Sequence, residues 1–78
     1  VLKNVRVTDK TQAQNDADVR AMVERAAKEL GTDGRILVRE SGTEPLVRVM
    51  VEAGNVETCE KYVDAVIDVI RSKGYVIE

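Results

Sequence analysis

Guanidinium groups and hydroxyls gathered around a glycine can grip an oxyanion, and the stretch Arg39-Glu-Ser-Gly-Thr-Glu-Pro-Leu-Val-Arg48 holds them close together. Two oxygens of a phosphate accept parallel N–H bonds from arginine's planar fork, so Arg39 and Arg48 suit that anion better than lysines would. Ser41 and Thr43 add hydroxyl donors. Gly42 lets the backbone come close, with successive N–H groups turned on one anion as a nest. Pro45 stiffens the way out. The same residues are also ordinary turn chemistry. Ser-Gly-Thr-Glu-Pro can join two strands with no ligand, and Glu44 or Glu52 can neutralise an arginine as a weak surface pair. On the residues alone both readings stand.

Two apolar runs must position this loop: Arg35 to Glu40 and Leu46 to Ala53, read as the strands of a hairpin. Side chains alternate across a strand, so Ile36 and Val38 share one face while Val47, Val49 and Val51 share one face of the second strand. Turning these β-branched sets to a common core leaves two registers. One sets Ser41 opposite Leu46 and Arg39 directly across from Arg48; the other makes the arginines diagonal neighbours. Either way both guanidinium groups stand on one face, near the loop.

Around the hairpin, Asn4 to Thr8 reads as a strand with Val5 and Val7 on one face, and residues 10–15 read as a polar loop. Asn15 or Asp16 caps a helix whose stripe is Val19, Met22, Val23, Ala26, Ala27 and Leu30, stopped by Gly31. Asn55 caps a second helix, about Val56 to Lys73, with the stripe Val56, Cys59, Val63, Val66, Ile67 and Ile70, ended by Gly74. Tyr75-Val76-Ile77 is a final short strand or a tail. The order β-α-β-β-α(-β) describes an α+β fold, a mostly antiparallel sheet with two helices on one face.

With 78 residues there is one domain, spanning 1–78, and one core. Having no histidine and a single cysteine, the chain excludes a disulfide within itself, a His/Cys metal site and a Ser-His-Asp triad. A net charge of −2 and only two aromatic residues, Tyr62 and Tyr75, count against a nucleic-acid-binding surface. No run approaches the length of a membrane span. Cys59 belongs to the second helix's apolar stripe, and Asp64, Asp68 and Glu60 read as a solvated acidic helix face.

The segment Gly34 to Ala53, with its pattern Arg-x-Ser-Gly-Thr-Glu-Pro-x-x-Arg-x-x-x-Glu, resembles the C-terminal domain of the α-D-phosphohexomutases. Asn-Val-Arg-Val at 4–7 and the two helices fit the same domain, so the resemblance covers essentially the whole chain. It implies a TATA-box-binding-protein-like fold and a fragment of a longer enzyme, with which Val1 in place of Met agrees. It implies a cytoplasmic mutase that moves phosphate on a hexose, with a phosphoserine and Mg²⁺ held in earlier domains and neither held here. Its partners are then a phosphosugar and the enzyme's other domains. By motif, Arg39, Ser41, Gly42 and Thr43 contact the phosphate that is not transferred, with Arg48 a secondary candidate, and no catalytic residue lies in this chain. Glu40 departs from the pattern, where proline is more usual, and brings a negative charge near the site. The competing classes are a stand-alone anion-binding regulatory module and a nucleic-acid-binding domain on a similar sheet.

Overall fold

The computed structural model describes residues 1–77. Three strands, β1 (Leu2–Arg6), β2 (Arg35–Glu40) and β3 (Leu46–Glu52), form an antiparallel sheet in the order β1-β3-β2. Among the described residues there are three α-helices, α1 (Lys10–Asn15), α2 (Ala17–Leu30) and α3 (Val56–Ser72), and a 3-10 turn at Gly31–Asp33. The fold is α+β, as expected.

Strand β3 is central because its inward residues Val47, Val49 and Val51 are all fully buried. With Val5 and Val7 they meet Val19, Ala26 and Leu30 of α2 and Val63, Val66 and Ile70 of α3 in a single core. Burying a valine or isoleucine in this way contributes about 1.5–3 kcal/mol each before entropy is counted. Ile36 and Val38 face the same core but stay half-buried, since β2 is an edge strand.

Four expectations are corrected. Residues 10–15 are helix α1, not a loop. Its polar sequence hides one inward residue, the fully buried Ala13, and Asp9 caps it by accepting the Gln12 N–H at 2.9 Å. Three helices therefore accompany the sheet rather than two. Strand β1 lies two residues earlier than its alternation suggested, because Leu2 faces outward and leaves no apolar mark on the inner face. Ala27 and Val56, placed on the helix stripes by periodicity, are exposed, and Tyr62 is buried instead on α3. Val56 opens its helix, where the chain has not yet come down onto the core.

The helix ends follow the predicted chemistry. Asp16 Oδ1 accepts the Asp18 and Val19 N–H groups at 2.8 and 3.2 Å, and Asn55 Oδ1 accepts that of Thr58 at 2.7 Å. Gly31 and Gly74 take positive φ of 61° and 83° where α2 and α3 stop. Gly34 is required by close approach rather than by φ, since a Cβ there would lie 2.5 Å from the Glu52 carbonyl oxygen. Among the described residues the tail contributes an antiparallel bridge, Val76 to Val7, rather than a full strand. It is fastened by the Tyr75 hydroxyl, which donates to Asp16 Oδ2 at 2.7 Å, and by Lys73, 2.9 Å from Asp18 Oδ2. Cys59 is buried in the core.

Candidate functional site

The hairpin adopts the register in which Arg39 stands directly across from Arg48, and Ser41 N–H bonds to the Leu46 carbonyl at 2.9 Å. On the other side of Arg48 in the same row lies Asn4 of β1. Both arginines are exposed on the sheet face away from the helices. Among the described residues neither makes an ion pair or a side-chain hydrogen bond. Glu52, one of the two expected neutralisers, pairs with Arg35 at 3.1 Å, and the Glu44 carboxylate has no basic partner among the described residues. Two like charges directly opposed on a sheet are unfavourable by a few tenths to about 1 kcal/mol. Among the described residues no side chain offsets that cost.

The loop is more ordered than an open turn. Ser41 is buried, and its Oγ accepts the Glu44 N–H at 3.2 Å and, more weakly, the Thr43 N–H at 3.4 Å. Both lone pairs of the hydroxyl are thereby engaged, and its proton is left to donate. The Val7 N–H reaches the Pro45 carbonyl at 2.9 Å and ties the loop's exit to the chain after β1. Gly42 and Thr43 are exposed at the tip.

The expected nest is not formed. Two of the amides that would make it, those of Thr43 and Glu44, turn inward to Ser41, and Gly42 does not take the positive φ such a nest needs. A Cβ at Gly42 would meet nothing within 4 Å, so no contact inside the chain demands glycine there.

Helix α1 supplies what the sequence reading missed. Lys10 Nζ donates to the carbonyls of Ser41 at 2.6 Å and of Glu44 at 3.3 Å, so one ammonium spans the loop from beneath. Thr11 Oγ1 donates to Glu40 Oε2 at 2.7 Å, and Glu40 N–H donates to Gln14 Oε1 at 2.8 Å. The Glu40 carboxylate is thus drawn to the helix side of the sheet, opposite the arginines. The findable signal was Asp9-x-x-Gln12, a capping-box spacing that starts a helix.

Among the described residues no group of three or more His, Cys, Asp or Glu is placed to hold a metal ion. Among the described residues no helix is long and apolar enough to cross a membrane.

The chain matches the family model for the phosphoglucomutase/phosphomannomutase C-terminal domain over residues 2–69. It is 79% identical over 77 residues to a phosphoglucosamine mutase of Lachnospira eligens, covering 99% of this chain and 17% of that protein. It is 54% identical to the phosphoglucosamine mutase of Lachnoclostridium phytofermentans, covering 97% of this chain and 17% of the relative. For that of Bacillus subtilis the identity is 52%, with 94% and 16% covered. The chain therefore spans about a sixth of the length of these curated relatives. This extent of match and the hairpin's architecture together assign the chain to the phosphoglucomutase/phosphomannomutase C-terminal domain family.

Proposed function

We propose that the face bearing Arg39, Ser41, Gly42, Thr43 and Arg48 binds the phosphate of a phosphosugar that is not being transferred, within a phosphoglucosamine mutase that interconverts glucosamine 6-phosphate and glucosamine 1-phosphate. The observation that carries this reading is the opposed arginine pair with no counter-ion among the described residues, beside a loop already ordered by its own serine. A phosphate would turn their mutual repulsion into two charge-assisted, bidentate contacts. Ser41 would donate its remaining proton, Thr43 its hydroxyl, and the open space at Gly42 would admit the anion close to the backbone.

In this reading the chain positions substrate, and the phosphoserine and Mg²⁺ belong to other domains of a cytoplasmic enzyme supplying activated amino sugar for cell-wall synthesis. Positioning is a large part of phosphoryl-transfer catalysis. A sugar that reorients between half-reactions presents either of its phosphates to the same receiving site. The open sheet face accommodates that, because it encloses neither the sugar nor the second phosphate.

The test is a titration of the ¹⁵N-labelled chain with glucosamine 6-phosphate, inorganic phosphate and a short oligonucleotide. The two phosphates should shift amides of residues 39–43. Arg39→Lys should raise the apparent Kd by about 3–10-fold, because a point charge cannot reproduce the fork. Shifts confined to other residues, or seen with the oligonucleotide alone, would exclude the proposal. In an enzyme that contains the chain, unchanged kcat/KM for Arg39→Lys would remove Arg39 from the site.

A further inference from the structure

Beneath the loop, Lys10 holds the Ser41 and Glu44 carbonyls with one ammonium, at 2.6 and 3.3 Å. These carbonyls bracket Gly42 and Thr43, so the clamp fixes the span of the tip. It also fixes a direction. In a planar trans peptide the C=O and the following N–H point opposite ways. The carbonyl of Ser41 points at Lys10, on the α1 side, so the N–H of Gly42 in the same peptide unit points away from Lys10 and outward. The next two amides are committed to Ser41 Oγ. Pro45 has no N–H at all. Gly42 therefore carries the backbone donor that the loop turns to the outside.

We propose that Lys10 is a positioning residue, which by clamping the Ser41 carbonyl aims the Gly42 N–H at a phosphate held by Arg39 and Arg48. This rests on the phosphate-site reading above. Lys10 touches no ligand; it acts through the peptide unit between Ser41 and Gly42. Three further features make it a built clamp. Ser41 is buried, so its carbonyl has little water to replace the ammonium. Helix α1 is seated by the buried Ala13 and capped by Asp9, the residue just before Lys10. Thr11, the residue after Lys10, and Gln14, one turn further along the same helix, bind Glu40, which keeps the strand end and the loop in fixed relation to Lys10.

The experiment compares wild type, Lys10→Met and Lys10→Arg in the ¹⁵N-labelled chain, titrated with inorganic phosphate at fixed ionic strength. Methionine keeps most of the apolar stem and removes the donor. Phosphate should move the Gly42 amide proton downfield in wild type. In Lys10→Met that shift at saturation should fall by about half or more and Kd rise by about 10-fold or more, the worth of one hydrogen bond to a charged ligand. Lys10→Arg, which keeps a donor and a charge, should recover most of both. Hydrogen exchange at Val49 and Val63, in the core, should not change. A merely structural role would instead loosen those core amides and leave the saturating Gly42 shift untouched, and that outcome overturns the proposal, as does a wild-type Kd in Lys10→Met. Should Lys10→Met not fold, the wild-type Nζ resonance decides: clamped ammonium protons exchange more slowly than those of exposed lysines such as Lys28, and equal rates refute the clamp. A wild-type chain with no phosphate response at residues 39–43 ends the phosphate-site reading and the aiming role with it, while the ligand-free Nζ exchange still decides the clamp separately.

Discussion

Ser41 has two duties that pull on one hydroxyl. Its oxygen accepts the Thr43 and Glu44 amides and keeps the loop folded on itself, and its proton remains for a ligand. Threonine would add a methyl group to a buried site, and alanine would leave the Glu44 N–H without its acceptor. Ser41→Ala should therefore lower the chain's stability by about 1–2 kcal/mol, measured by urea unfolding, as well as weaken phosphate binding. A variant that lost binding at full stability would show that the serine matters only to the ligand. The arginines differ from Ser41 in this respect. Exposed and unpaired among the described residues, Arg39 should contribute nothing measurable to stability when changed to Lys, and its effect should appear in binding alone. At this scale the sequence was most informative. Strand parity alone puts Arg39 and Arg48 on one face, because alternation follows from covalent geometry. It left the register open, and the Ser41 to Leu46 hydrogen bond decides it. Lys10 was not legible, since its partners are backbone carbonyls about thirty residues away, and no spacing in the sequence announces them.

Among the elements, the long helices were legible and the short one was not. Helices α2 and α3 present several apolar residues each at helical spacing, whereas α1 presents one, Ala13. Six residues are too few to show a period, and only the cap at Asp9 marked the start. The join between α1 and α2 is Asp16, which ends one helix and caps the other. The hydrogen bond from Tyr75 holds the Asp16 carboxyl below the usual carboxylate range, aided by the Val19 and Asp18 amides and by Lys73, against a smaller opposing effect of burial. A depressed carboxyl supplies stability that is fully present above its unfolded value near 3.8 and is lost as pH falls through the lower folded value. The urea midpoint should accordingly drop as pH is taken from about 5 to below the unfolded carboxylate range. Tyr75→Phe should lower the midpoint at pH 5 and flatten that acid limb, because the leading cause of the depression is gone. At the alkaline end the Tyr75 hydroxyl is raised by the same bond to Asp16, and Lys73 by its bond to Asp18. Their stabilisation is present below about pH 10 and disappears as pH rises through the raised values. An acid limb of equal slope in wild type and Tyr75→Phe would show that the tail does not govern the α1–α2 join, and hence does not support the helix that carries Lys10.

For the molecule as a whole, the sign of its charge and the sign of its candidate site disagree. The chain carries a net charge of −2, yet the outer sheet face holds Arg39 and Arg48 without acidic partners among the described residues. The acids are spent elsewhere, on Lys3 at Asp64, on Arg35 at Glu52 and on Lys73 at Asp18. Composition alone therefore argues against an anion, and only the folded arrangement argues for one. Salt separates the two influences because they act over different distances. The repulsion of a net-negative body is felt at long range, and adding salt would relieve it and tighten phosphate binding. The attraction of an opposed arginine pair acts within contact distance, and salt competes with it directly. Raising ionic strength from about 0.02 M to about 0.5 M shortens the screening length from about 20 Å to about 4 Å, so the long-range part vanishes while the local part weakens. If the arginine pair dominates, phosphate affinity should fall by several-fold over that range. The double variant Arg39→Gln/Arg48→Gln should bind far more weakly at low salt and show a flat or reversed dependence. Titrating both proteins at the two ionic strengths measures this directly. A wild-type affinity that rose with salt would mean the anion responds to the chain's net charge, and the opposed arginines would lose their place as the feature that draws phosphate to this face.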